Sequence, residues 1–329
     1  MTTIKGVMRS YGATVRRMER EQQRKAREAA KRFKEQQRLQ SIEDARQAVK
    51  DYNNYVDTLQ SLHKNCTEFV DWNQIKSQPK PSIPIVSKEN ENIAKSKLEN
   101  FKPSFFDKIF GLTNKKIIRL KNTISSAIEK DKKQSEINSD KYKQELNDWK
   151  KLQNISNGIE QKNPEYYKEA LQFFTPFSDI GELGSKLEFS FSESLIDIEL
   201  HVNSLDIIPD YELKQTSTGK LSKKNMAKSK YNELYQDHIC SAVIRIAREI
   251  FAYLPVEHVR VNAMSELLNS KTGHIEEKPI LSVIILPETI DKLNLDTIDP
   301  SDSMQNFVHN MKFVKTTGFK EVKKVELEK

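Results

Sequence analysis

The chain has 329 residues, with 54 Lys and Arg against 47 Asp and Glu, 36% apolar and 31% charged. That is enough for one large domain or two ordinary ones, in a balance that suits long solvated helices over one big core. Cys66 and Cys240 give neither a disulfide framework nor a metal-ligand spacing, and no stretch reaches the roughly 18 apolar residues of a membrane span, so a cytoplasmic protein without a cofactor is expected.

The charge is unevenly placed. Residues 1–50 carry 14 basic and 6 acidic groups, a net of +8, while the whole chain is +7. Arg16, Arg20, Arg24, Arg27, Lys31, Lys34 and Arg38, with Arg17 beside them, recur at spacings of three and four. That spacing places them on one helix face. The stripe spans about 33 Å at 1.5 Å per residue, close to one turn of B-form DNA at about 34 Å. Phosphate-backbone contact is the expected role, with DNA rather than RNA as the partner.

No Gly or Pro interrupts Ala13–Asp71, and residues 14–66 read as one helix. Residues 1–40 form a basic arm. From Ile42 an apolar seam appears at Ala45, Val49, Tyr52, Val56 and Leu59, a heptad rhythm. Residues 77–84, with three prolines, predict an extended loop inside a broader break at 71–90. A short helix is expected over 88–101. Residues 103–112 make an apolar knot, Phe105, Phe106, Ile109, Phe110 and Leu112, expected to cap a helical hairpin, with a docking tip for a partner or membrane as the alternative. Residues 113–160 are again helical, followed by a helix from Asn163 to Phe174. Two long helices of similar length predict an antiparallel coiled-coil hairpin over 41–175, with a parallel homodimer through 42–66 as the competing arrangement. Either way a protein partner or a second copy is expected at the coiled coil.

The texture then changes. Leu187, Phe189 and Phe191 alternate with polar residues, and so do Ile196, Ile198, Leu200 and Val202 after a turn at Glu193-Ser194. This is a half-buried β-hairpin. Residues 211–215 read as a third strand, 231–254 as an apolar helix, 256–263 and 279–286 as strands, and 288–295 as a last helix. The fold class is therefore α+β: a long N-terminal helical, coiled-coil region followed by a mixed-sheet α+β domain over 185–310, with a polar tail at 311–329.

Two further constellations bear on function. Lys220, Lys223 and Lys224 crowd a loop before the apolar helix and are candidate phosphate contacts. On the hairpin, pairing puts Glu188 opposite Glu199 with Asp197 on the same face, and facing like charges invite a divalent metal. Asp197 on one strand and Glu212-x-Lys214 on the next, followed by a helix, resembles the restriction-endonuclease-like nuclease core over about 187–264. That resemblance implies Mg²⁺ held by Asp197 and Glu212, with Lys214 positioning or activating water. Glu-x-Lys also occurs at Glu276–Lys278 and Glu321–Lys323. The six histidines are scattered, and His238 reads as a core residue.

Together these features predict a nucleic-acid-associated binding or scaffold protein of a multi-component bacterial DNA-processing or defence system. A Mg²⁺-dependent nuclease and a coiled-coil adaptor without nucleic acid are the alternatives.

Overall fold

The computed structural model describes residues 4–178, 186–202 and 207–326; the side chains of residues 4–30 and of Lys108 lie outside that description. The architecture is α+β, a long helical region followed by a mixed five-stranded sheet.

Helix α1 spans Ile4–Gln60. Over residues 31–41 every side chain is exposed, and packing begins at Ile42. From there the protected positions are those of the apolar seam, with Ala45 and Leu59 buried. The helix becomes a packed element where apolar residues first recur at helical spacing.

A 3-10 turn (Leu62–Lys64) follows, then α2 (Trp72–Ser77), α3 (Glu89–Glu99), α4 (Phe105–Ile109), α5 (Thr113–Glu160) and α6 (Pro164–Phe174). Helix α5 packs against α2, α3 and α6. Its side chains fasten α2 and the start of the proline-rich segment: Trp149 Nε1 donates to the Gln78 carbonyl at 3.0 Å, Gln153 to Ile75 at 2.8 Å and Ser156 to Trp72 at 3.0 Å. Buried Asp131 of α5 caps α3 from outside, accepting the Glu91 amide at 2.8 Å and the Asn90 side chain at 2.7 Å. Orphan amides of a helix start are thereby satisfied by a neighbouring helix.

Strands β1 (Lys186–Phe191) and β2 (Leu195–His201) form the expected hairpin; β3 (Tyr211–Gln215) and β4 (Leu221–Asn225) form another. Helix α7 (Lys228–Tyr253) precedes β5 (His258–Leu268) and β6 (Ile275–Ile285). One-turn helices at Pro287–Ile290 and Pro300–Ser303 lead to β7 (Val308–Met311), β8 (Phe313–Val314) and β9 (Gly318–Phe319). The main sheet runs β1-β2-β5-β6-β7, with β2 and β5 parallel across the α7 connection and the other pairs antiparallel.

Helix α7 is the centre of the core, buried almost all round. Isoleucines and valines of β2, β5 and β6 join its core cluster. Against it also lie Leu59, Leu62 and the following segment, where Val70 N–H donates to the Ala252 carbonyl at 2.9 Å and Trp72 Nε1 to Tyr253 at 2.6 Å.

The structure departs from the sequence expectations at several points. The seam of α1 packs on α7 and on the β3–β4 hairpin, while α5 takes α2, α3 and α6 as partners. The antiparallel pairing of the two long helices does not cover it, because α7 and the hairpin present the apolar surface. The expected third strand is not in the main sheet: among the described residues β3 pairs with β4 alone, in the segment read as a loop. The polar run Ser222-Lys223-Lys224-Asn225, with no apolar alternation, hid β4. The helix expected over 288–295 is a single turn, Pro287–Ile290. The polar tail is anchored through residue 326: Val322 and Val325 are buried, and the Val325 amide donates to Ser282 Oγ at 2.8 Å.

Candidate functional site

Two polar surfaces emerge, one basic and one acidic. The basic one is built where the β3–β4 hairpin meets α1. Gln215 Nε2 donates to the Ile42 carbonyl at 2.9 Å and to the Gly219 carbonyl at 3.0 Å, clamping the hairpin turn to the helix. The Tyr52 hydroxyl donates to the Tyr211 carbonyl at 2.8 Å, with the two rings 5.8 Å apart. Gly219, at φ +83°, takes a conformation that favours glycine and lets the turn close onto Ile42. Arg38 lies one helical turn before Ile42, and Lys220 follows Gly219.

The Gly219–Ile42 contact therefore joins the segments that carry two basic clusters far apart in sequence. Lys31, Lys34 and Arg38 are exposed on α1; Lys220, Lys223 and Lys224 are exposed on the turn and β4. Lys223 sits 3.8 Å over the Tyr211 ring, a cation–π contact that holds the strand face. The side chains of Arg16, Arg17, Arg20, Arg24 and Arg27 lie outside the described residues, although their backbone belongs to α1.

The acidic surface is on the main sheet. A two-residue turn at Glu193-Ser194, closed by Ser192 N–H on the Leu195 carbonyl at 3.0 Å, fixes the register that places Glu188 opposite Glu199. Lys186 pairs with Glu188 at 2.6 Å and holds its carboxyl below the usual range. Lys324, from the anchored tail, pairs with Glu199. The like-charge pair is thus relieved by lysines of the chain itself.

His201 completes the cluster. Its Nε2 lies 3.8 Å from Glu188 and 3.9 Å from Glu199, and its Nδ1 2.6 Å from Glu277. One ligand atom each from Glu188, Glu199 and His201 falls within 4.8 Å of the others, and a carboxylate behind the far ring nitrogen is how ligating histidines are commonly oriented.

Asp197 is not part of that cluster. Its carboxylate accepts a two-pronged interaction from Arg260, Nε at 2.9 Å and Nη2 at 2.6 Å, and a third bond from Asn262 at 2.8 Å. Burial works to raise its pKa, but Arg260 and Asn262 outweigh it and hold the group below the ordinary aspartate value. Arg260 also donates to the Val325 carbonyl at 3.1 Å, so the pair ties the tail to the sheet.

The nuclease-like constellation is not assembled either. Asp197 is on β2, whose neighbours are β1 and β5, while Glu212 and Lys214 are on β3 of the separate hairpin. Glu212 is held by Lys230, which keeps its carboxyl below the usual range, and Lys214 lies 3.6 Å from it. With Asp197 committed to Arg260 and Glu212 to Lys230, these residues do not fit a shared Mg²⁺.

The sequence signals for the missed residues were present but partial. Glu199 and His201 alternate on one strand face, so His201 was within reach of a face-by-face reading. Glu277 was not, because β6 pairs with β5 and reaches His201 only through the sheet. Gln215 gave no signal, since its role depends on where the hairpin docks. Compared with known protein families, curated proteins and solved structures, the chain gives no significant match.

Proposed function

We propose that the chain binds nucleic acid through a composite basic surface, the basic stripe of α1 continued by the lysines of the β3–β4 hairpin, and that it serves as a scaffold in a DNA-processing assembly. The observation that carries this reading is the Gln215 clamp, which fixes the turn preceding Lys220 against Ile42, one helical turn after Arg38. Helix and hairpin lysines then address one polyanion together. Contacts of this kind read phosphates and not bases, so binding is sequence-independent and steeply salt-dependent. The exposure of all six described basic candidates supports it, because a phosphate ligand needs reachable ammonium and guanidinium groups.

The test is fluorescence anisotropy of labelled duplex DNA, single-stranded DNA and duplex RNA with the full chain and two variants, Arg38→Glu and Lys220→Glu/Lys224→Glu. Each variant is expected to weaken duplex DNA binding by tenfold or more, and log affinity is expected to fall with log salt at about −0.9 per phosphate contacted. Affinity unchanged by both variants and by salt would remove the basic-surface reading and favour a protein-binding adaptor. Mg²⁺-dependent cleavage of the labelled duplex by the full chain would favour a nuclease reading instead, through residues other than a shared Asp197–Glu212 site.

A further inference from the structure

The apolar knot ends up inside out. Helix α4 sits in the connection between α3 and α5, as a hairpin cap should, yet Phe105, Phe106 and Phe110 are 74%, 68% and 68% exposed, with Ile109 at 59%. The buried side chain of this turn is the polar one. Asp107, 4% exposed, closes a capping box with Ser104 and pairs with Lys116 at 2.6 Å. The fold therefore satisfies its one carboxylate internally and turns its aromatic groups outward. Phe105 and Phe106 meet edge to face at 6.1 Å, and among the described residues nothing else covers them.

The surroundings are strongly basic. Between residues 100 and 128 there are six basic residues, Lys102, Lys108, Lys115, Lys116, Arg119 and Lys121, and one acidic residue, Asp107, already neutralised by Lys116. The tip also stands away from the core. Ile155 at the other end of α5 is in the core, and the 42 residues back to Thr113 span about 63 Å of helix.

We propose that this tip inserts into an anionic lipid bilayer surface, its phenylalanines entering the headgroup–acyl boundary and its lysines contacting lipid phosphates. Apolar side chains with a polybasic collar are the two signals that together hold a peripheral protein on such a surface. The charge selects this occupant over a second copy, because two tips face to face would oppose two sets of uncompensated lysines. Among the described residues no helix is long and apolar enough to cross a membrane, so the contact is insertion of a turn and not a span. The proposal is independent of the nucleic-acid reading.

The experiment is vesicle flotation of the full chain with phosphatidylcholine alone and with phosphatidylcholine mixed with phosphatidylglycerol. The wild type and a Phe106→Ser/Phe110→Ser variant are compared at low and high salt. Both serines replace exposed side chains, so circular dichroism and Tm are expected to be unchanged. The wild type is expected to bind the anionic vesicles, and the variant to bind at least about tenfold more weakly. A second variant, Phe110→Trp, separates insertion from charge attraction by the N-terminal arm. Its added indole is expected to be quenched by lipids brominated on the acyl chain, over and above any quenching of Trp72 and Trp149 in the wild type. Equal binding of the wild type and the serine variant, no added quenching, or self-association lost in the serine variant would each overturn the proposal.

Discussion

Gly219 of the β3–β4 turn lies against Ile42 of α1 so closely that a Cβ built on the glycine falls 2.7 Å from Ile42 Cγ1. The contact joins two basic segments 173 residues apart at the neighbouring Gln215–Ile42 hydrogen bond. It also makes the composite surface sensitive to one atom. Gly219→Ala adds both that clash and the strain of a positive φ, about 1–3 kcal/mol. The expected outcome is a lower Tm and a severalfold loss of duplex DNA affinity, with the Lys220 and Lys224 charges intact. A matched fall in affinity in Gln215→Ala would tie the loss to the clamp.

Asp197 and Arg260 are a pair of structural consequence. Asp197→Asn removes the charge that Arg260 pairs with, and the expected cost is about 2 kcal/mol or more. Because the Asp197 carboxyl is depressed in the fold, its contribution is complete above the ordinary aspartate pKa and is lost as pH falls through the lower folded value. Urea denaturation of wild type and variant should show a stability gap at neutral pH that narrows as the solution is made acidic. Release of the tail anchored at Val325 should appear as faster amide exchange of that residue.

Asp131 offers a local probe. The backbone N–H of Glu91, then the Asn90 groups, hold its carboxyl below the usual range. By the same sign, the cap is present at neutral pH and lost in acid. In Asp131→Ala the first-turn amides of α3 should lose exchange protection while those of α7 keep theirs. Equal loss in both helices would mean that the cap supports the whole fold and not one helix.

His63 and His238 make the fold sensitive at milder pH. Burial is the main cause that lowers both, partly offset at His238 by the Leu59 carbonyl 3.2 Å away. A lowered imidazole is neutral in the fold and charged sooner when unfolded. Stability is therefore full above about pH 6.5 and falls below it, by at most about 1.4 kcal/mol per pH unit for each histidine. Thermal melts between about pH 7.5 and 5.5 should show this decline in the wild type and a flatter profile in His63→Gln/His238→Gln. Since both residues join the end of α1 to α7, the acid-induced loosening should begin there.

Cys66 is a quieter case. Burial, then Glu249, pushes its thiol up to about 11. At neutral pH it stays protonated, and alkylation by iodoacetamide should be slow in the folded chain and fast in urea. Rapid modification of the native protein would show that the 61–70 segment does not stay closed on α7.

Local patterns settled much of this protein before any tertiary contact. The absence of Gly and Pro and the seam from Ile42 to Leu59 determined a long helix that becomes packed halfway along. Alternation on either side of Glu193-Ser194 determined a hairpin whose turn set the Glu188–Glu199 register, because a strand period of two leaves little freedom once the turn is chosen. The basic arm and the lysine cluster were legible as charge. What those groups face was decided only by the tertiary structure. The seam of α1 accepts any apolar partner, so periodicity could not choose α7 and the β3–β4 hairpin over α5. Asp197 reads in one dimension as a free acid, and only the parallel pairing of β2 with β5 puts Arg260 and Asn262 against it. The outward turn of Phe105, Phe106 and Phe110 depends on Asp107 taking the inside of the turn. Spacing along a chain specifies which face a side chain is on, but long-range packing decides whether that face meets protein or is left for something else.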